Sequence, residues 1–152
     1  CKENNFEMMK KVLGLDLGTN TLGIAISDSL GFVHGVETFR FPKNQFIVAR
    51  QHVLQLIDER EIDEIAVGLP LHLSGNMSEM GESCLRFRDD LLKANPSLTI
   101  EMVDERLSTV SAHNSINERG MNHQQRKENV DKIAACVILD TYIRKKEFNH
   151  GK

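Results

Sequence analysis

The chain is poor in the residues on which many nucleic-acid-binding proteins depend. It has no Trp and a single Tyr, Tyr142, which argues against a row of aromatic rings on which single-stranded bases stack. Its 19 Lys and Arg are outnumbered by 22 Asp and Glu, which gives a formal net charge of −3. A protein that coats nucleic acid regardless of sequence carries a large positive excess instead. An enzyme that meets phosphates through a bound divalent metal is compatible with this balance.

Cysteines and long hydrophobic runs are also scarce. The three cysteines, Cys1, Cys84 and Cys136, form no C-x-x-C pair, and their odd number suits a reducing cytoplasm. No apolar stretch approaches the length of a membrane span and no signal peptide is visible, so no membrane partner is expected. The 152 residues suffice for one domain with a real core. Residues 1–8 are expected to be a disordered extension or an expression remnant, and residues 9–149 a single domain.

The spacing of apolar residues and chain breakers predicts an α/β fold. Five strands are predicted, over residues 11–17, 22–28, 32–41, 64–67 and 98–103. Helices are predicted over residues 45–60, 77–91, 108–119 and 129–146. Hairpin strands followed by alternating helices and strands predict a mixed five-stranded sheet with helices on both faces.

Several local features belong to this prediction. The first helix is expected to be capped by Asn44. Its inward residues are expected to be Ile47, Leu54 and Ile57. The second helix is expected to bury an apolar stripe that starts at Met77, and residues 121–127 are expected to form a mobile polar loop.

The most informative residue is Asp16, at the end of the first predicted strand. One face of that strand is expected to bury three leucines, Leu13, Leu15 and Leu17. Packing gives no reason to place an ionised carboxylate beside them, and such groups are usually paired, hydrogen-bonded or bound to a metal. Gly18 lets the backbone turn tightly or a phosphate approach, and Thr19 adds a hydroxyl. An acid followed by Gly-Thr indicates metal-assisted phosphate chemistry; the alternative is a hairpin in which Asp16 caps its own turn.

Further acids are expected at the same edge of the sheet. Asp104 and Glu105 end the last predicted strand, and open α/β sheets bind ligands at the carboxyl ends of their strands. Asp131 lies at the border of the apolar stripe of the last helix. Each acid also has an ordinary explanation, as a solvated strand end or as a charge near a helix N-terminus. Three acids at one edge are typical of a site for Mg²⁺ or Mn²⁺, and two such ions about 3.5–4 Å apart can promote phosphodiester cleavage.

Four segments resemble, in order and spacing, the YqgF family of RuvC-like proteins, described as Holliday junction resolvases and as pre-16S rRNA nucleases. The segments are LDLGT at 15–19, VGLPL at 67–71, DERLST at 104–109 and VDKIAA at 130–135. The resemblance runs from about residue 10 to residue 144. It implies an RNase H-like fold, a place in the bacterial cytoplasm and a function in maturing the 5′ end of 16S rRNA.

Carried over by position, the resemblance implies that the catalytic, metal-binding acids are Asp16, Glu105 and Asp131. Their cofactor would be Mg²⁺ or Mn²⁺, in a mechanism of the two-metal type. Arg106 would lie beside the scissile phosphate, and the loop at 68–70 would line the cleft. Gly18 and Thr19 are further candidates for substrate contact. His72, on the following loop, is either another such residue or an ordinary surface residue.

One departure from the resolvases concerns the last helix. Resolvases usually offer two acids a turn apart there, whereas the turn after Asp131 contains Ala134 and Ala135. Glu128, one turn earlier, is the only nearby substitute. This departure motivates an alternative function, a ribosome-assembly factor that keeps the fold without catalysis.

Two more alternatives follow from the same motifs. A DNA resolvase would cut four-way junctions and would need two active sites; monomer and homodimer are both compatible with the sequence. An actin-like ATPase or sugar kinase also uses an Asp-x-Gly-Thr loop, but it needs two lobes and the chain has neither a second Asp-x-Gly loop nor a G-x-x-x-x-G-K-[ST] motif. The favoured prediction is a metal-dependent nuclease whose partners are an rRNA precursor and the pre-ribosomal subunit.

Overall fold

The computed structural model describes residues 11–28, 30–72, 74–105 and 123–150, with side chains in the last segment described over 130–146. Its strands are β1 (Val12–Leu17), β2 (Thr21–Ser27), β3 (Val33–Arg40), β4 (Glu64–Leu69) and β5 (Thr99–Asp104). Its helices are α1 (Phe46–Arg60), α2 (Glu79–Ala94) and α3 (His123–His150). The helix predicted over 108–119 lies outside the described residues.

The five strands form one mixed sheet in the order β3-β2-β1-β4-β5. β1 pairs antiparallel with β2, which pairs antiparallel with β3. On its other side β1 pairs parallel with β4, which pairs parallel with β5. The predicted α/β architecture is therefore confirmed, and β1 is the central strand with neighbours on both sides.

Helices cover both faces of the sheet, also as predicted. The leucines of β1 pack on one face against α1 and α2; other members of this core include Ile24, Val53, Ile65, Cys84, Phe87 and Leu91. α3 covers the opposite face, where the core contains Val12, Ala25, Ala66, Val103, Ala135, Ile138, Leu139 and Tyr142. The sheet residues of this second core are small, so α3 lies close to the strands. None of the described helices combines the length and the hydropathy needed to cross a membrane.

The predicted N-cap of α1 was wrong. Gln45 occupies the N-cap position, and Asn44 adopts a left-handed conformation with φ of 63°. The N–H of Asn44 donates to the carbonyl oxygen of Thr19 at 2.7 Å, so this residue connects two loops instead of capping the helix. Ile47 is 53% exposed, because the face turned inward consists of Ala49, Val53, Leu56 and Ile57. Leu54 is half-buried, as predicted.

Two other boundaries differ from the prediction. Met77 precedes α2 and is 40% exposed, because Ser78 caps the helix by accepting a 2.9 Å hydrogen bond from the N–H of Gly81. α3 begins at His123, so most of the polar loop predicted over 121–127 is helical. Charged and amide side chains are good helix formers, and their polarity alone is a poor sign of a loop.

Candidate active site

Asp16 lies on the face of β1 that α3 covers. Side chains alternate along a strand, so Leu15 and Leu17 point towards α1 and α2 while Asp16 points towards α3. Its partner on β2 is Gly23. On β4 the residue level with it is Gly68, one position beyond the pair formed by Leu15 and Val67. Asp16 therefore has a glycine beside it on each neighbouring strand.

The other two acids lie over these glycines. A Cβ atom built on Gly23 would be 2.2 Å from the main-chain oxygen of Asp131. A Cβ atom built on Gly68 would be 3.0 Å from both Cγ and Oε2 of Glu105, which directly follows β5. The chain thus brings Asp131 to one side of Asp16 and the Glu105 carboxylate to the other.

The electrostatics of the site reflect this proximity. Burial, together with the negative charges of Glu105 and Asp131, raises the pKa of Asp16 to about 7. Burial and the charge of Asp104 raise the pKa of Glu105. All three acids are half-buried, and Oδ2 of Asp131 is shielded from solvent. Like charges held together in a medium of low dielectric constant favour the uptake of a proton or a cation.

A neutral thiol lies near the acids. Cys84 of α2 is buried, and burial together with the charges of Glu105 and Asp16 raises its pKa to about 12. The thiol is therefore protonated at physiological pH and adds no charge to the site.

The donor chemistry of the acids fits Mg²⁺ or Mn²⁺. Asp16, Glu105 and Asp131 offer carboxylate oxygens, which hard divalent cations prefer. Within the part of the chain that the structure describes, no three His, Cys, Asp or Glu side chains are close enough to hold one ion as they stand. A cation would offset the repulsion among the three carboxylates, and a change of side-chain rotamer is enough to bring a carboxylate towards it.

The turn that follows Asp16 is fixed by backbone hydrogen bonds. The N–H of Gly18 donates to the carbonyl oxygen of Thr21 at 2.7 Å, and a Cβ atom on Gly18 would be 3.2 Å from Oγ1 of Thr21. Thr19 is exposed, and its carbonyl oxygen is held by Asn44. The turn is therefore tight, and Thr19 is exposed within it. Substrate contact by Gly18 and Thr19 stays a prediction.

The remaining predicted contacts lie on loops. His72 is exposed on the loop after β4, where its main-chain N–H donates to the carbonyl oxygen of Asn76 at 3.0 Å. Leu71 and Met77 form an isolated antiparallel bridge that closes this loop. The predicted contact of His72 with substrate stays a prediction. Arg106 lies outside the described residues.

Comparison with known proteins identifies the family. A family model described as RuvX, Holliday junction resolvase, matches residues 10–145. The chain belongs to the RuvX family. The resemblance to YqgF drawn from four motifs is thereby confirmed. Proteins named "Putative pre-16S rRNA nuclease" from Staphylococcus aureus strains JH9 and JH1 are 36% identical to this RuvX-family chain over 137 residues, which cover 90% of it and 96% of each relative.

Solved structures share the fold of this RuvX-family chain. T. thermophilus RuvC in complex with a Holliday junction substrate matches with a TM-score of 0.56 and 12% identity, over 90% of this chain and 96% of that chain. The yeast mitochondrial Holliday junction resolvase Ydc2 matches with a TM-score of 0.57 and 10% identity, over 95% of this chain and 82% of that chain. At these identities the likeness concerns the fold, and it confirms the RNase H-like architecture that the motifs implied.

Gly23 was not predicted to be part of the site. A glycine inside a predicted strand is a recognised sign that another backbone approaches closely. Gly23 lies between Leu22 and Ile24 in a strand that is otherwise apolar, so the sign was present. A glycine in a strand does not indicate which part of the chain packs against it.

Proposed function

We propose that this RuvX-family protein is a metal-dependent nuclease that hydrolyses phosphodiester bonds at the 5′ end of pre-16S rRNA in the cytoplasm. The observation that carries the proposal is the convergence of Asp16, Glu105 and Asp131 from three distant parts of the chain. Membership of a family described as resolvases supports phosphodiester hydrolysis. The name of the Staphylococcus aureus relatives supports the rRNA substrate.

In this proposal Asp16, Glu105 and Asp131 hold Mg²⁺ or Mn²⁺, in a site of the two-metal type. Divalent ions, when bound, promote the ionisation of an attacking water and offset negative charge at the phosphate. The protein supplies the orientation. Asp16 is held in the central strand, and Glu105 reaches it from the end of β5. Because the acids are only half-buried, a phosphate can reach them from solvent.

Proton occupancy at Asp16 follows from the raised pKa. With a pKa of about 7, the carboxyl group carries a proton for about half the time at neutral pH when no cation is bound. Cation binding would displace that proton, so apparent affinity for Mg²⁺ or Mn²⁺ should increase as pH rises through 7. This behaviour is expected of a carboxylate that works with a metal ion.

The proposal is tested by cleavage of a 5′-extended 16S rRNA precursor fragment in Mn²⁺ or Mg²⁺. Purified wild-type protein should cut the fragment, and Asp16→Asn should not. The matched control is Asp58→Asn, which makes the same chemical change at an exposed position of α1 and should cut like wild type. Equal cutting by Asp16→Asn and wild type would contradict the proposal, since it would show that the activity does not need this acid.

A second candidate, cleavage of branched DNA, is favoured by the description of the family and by the likeness to RuvC in fold. A four-way DNA junction run beside the RNA fragment separates the two substrates, and size-exclusion chromatography shows whether a homodimer supplies two sites. Binding of RNA without cleavage of either substrate would support an assembly factor that associates with the pre-ribosomal subunit.

A further inference from the structure

Four glycines lie under α3, one on each of four adjacent strands. They are Gly14 on β1, Gly23 on β2, Gly35 on β3 and Gly68 on β4. A Cβ atom built on any of the four would lie within 4 Å of α3. The nearest helix residues are Leu139 and Ala135 for Gly14, Asp131 for Gly23, Lys132 and Cys136 for Gly35, and Ile138 for Gly68. On each of four adjacent strands, α3 therefore lies over one position that has no side chain.

Backbone conformation does not explain these glycines. Among the described glycines, positive φ values occur at Gly31 and Gly75, which lie in loops. The glycines under α3 have φ values that any residue adopts in a strand. A strand glycine costs roughly 0.5–1 kcal/mol relative to alanine, so its presence calls for a packing reason. At Gly14, Gly23 and Gly68 that reason is the lack of space for a methyl group, whereas at Gly35 a methyl group would fit.

The demand for space is unequal along the path. At Gly23 a Cβ atom would lie 2.2 Å and 2.8 Å from the main-chain oxygen and carbon of Asp131, so the helix backbone would have to move. At Gly35 the nearest atom is Cβ of Lys132, at 3.4 Å, which is ordinary van der Waals contact. Both glycines lie on the same face of the sheet under the same turn of α3. Gly35 is therefore a matched control for Gly23.

Gly68 makes a comparable demand near the other acid. A Cβ atom there would lie 2.5 Å from Cδ1 of Ile138 and 3.0 Å from Cγ and Oε2 of Glu105. The first contact is with the end of a flexible side chain, and Ile138→Val removes that atom. In the double variant Gly68→Ala/Ile138→Val the close contact that is left is with Glu105.

We propose that Gly23 and Gly68 are positioning residues which set the approach of Asp131 and Glu105 to Asp16 and thereby determine the affinity for divalent cations. The inference rests on the proposed function, because it assumes that these acids bind the cation. Gly23 acts by letting the turn of α3 that contains Asp131 lie directly on β2. Gly68 acts by leaving room for the Glu105 carboxylate over β4.

The test is Mn²⁺ binding by isothermal titration calorimetry, with circular dichroism to confirm folding. Gly23→Ala should bind Mn²⁺ at least tenfold more weakly than wild type, because the shifted helix carries Asp131 away. Gly35→Ala should bind within twofold of wild type, although it makes the same change in chain entropy. Gly68→Ala/Ile138→Val should weaken binding at least fivefold, with Ile138→Val alone close to wild type.

A double-mutant cycle separates positioning from general loosening of the fold. If Gly23 acts through Asp131, adding Gly23→Ala to Asp131→Asn should change Mn²⁺ affinity less than twofold. Gly68→Ala/Ile138→Val keeps the inference testable if Gly23→Ala does not fold. Unchanged affinity in the folded glycine variants would overturn the inference while leaving the proposed function intact. Failure of wild type to bind Mn²⁺ would overturn both.

Discussion

Replacing Asp16 with Asn should stabilise the metal-free protein at neutral and alkaline pH, although it should remove activity. In the folded state burial and two neighbouring charges raise the pKa of this carboxyl group to about 7, whereas the value without these effects is 3.8. Between these pH values the folded protein binds more protons than the unfolded chain. Stability that the protonated group provides at low pH is therefore lost as pH rises through 7.

The size of the effect follows from the difference in pKa. A shift of about three units at about 1.36 kcal/mol each gives a ceiling of about 4 kcal/mol at pH 8. Asparagine resembles the protonated carboxyl group at every pH, so the variant avoids this loss. Wild type and Asp16→Asn should be nearly equal near pH 4 and should diverge as the pH rises. Even half of the ceiling corresponds to an increase in Tm of about 4–8 °C for a chain of this length.

The assay is urea unfolding of both proteins in EDTA at several pH values from 5 to 8. The free energy of unfolding of Asp16→Asn should exceed that of wild type by a margin that widens with pH, and Asp58→Asn should show no such widening. Saturating Mn²⁺ should reverse the order, because only wild type gains binding free energy on folding. A margin that stays constant from pH 5 to 8, or a variant less stable than wild type at pH 8, would refute the reasoning.

Three other predictions follow from described contacts. Tyr142→Phe removes the hydroxyl that donates a hydrogen bond to buried Glu64. It should lower the free energy of unfolding, measured in urea titrations, by about 1–3 kcal/mol. An unchanged free energy of unfolding would show that this hydrogen bond does not stabilise the fold. Ser78→Ala removes the cap of α2 and the 2.5 Å hydrogen bond that Ser78 donates to the carbonyl oxygen of Pro70. It should lower the free energy of unfolding by about 1–2 kcal/mol, and Ser78→Thr should restore most of this stability. Glu105→Gln should abolish cleavage and weaken Mn²⁺ binding while thermal melting shows an intact fold; full activity would remove Glu105 from the site.

The sheet and its helices could be predicted because the relevant patterns are local. Alternation in β1 separates the leucines from Asp16, and breakers such as Pro42 and Pro96 mark where elements end. The rule that strand ends share one edge then brings Glu105 near Asp16 before any coordinates are known. The helical pattern offered Asp131 as a third acid, and the family motifs added the catalytic assignment of the three acids and the RNase H-like fold type.

Two of the mispredicted features lie at the start of α1 and depend on tertiary contacts. Asn44 was expected to cap α1, but the carbonyl oxygen of Thr19 holds its N–H, and Thr19 is 25 residues away in sequence. Ile47 was expected inside because it is apolar, yet it is 53% exposed, while Phe46, Val48 and Ala49 in the same turn pack against the core. At Asn44, tertiary geometry overrode a capping preference of about 1 kcal/mol.

The glycines under α3 show most clearly how far the sequence carries. Gly23 and Asp131 are 108 residues apart, and no local rule joins them. The connection needs the register that pairs Asp16 with Gly23 and the path of α3 across that pair. The acids could therefore be named from sequence, whereas the space that lets them meet could not. If this space governs cation affinity, a substitution that touches no charged group can inactivate the site, and a search restricted to candidate ligands would miss it.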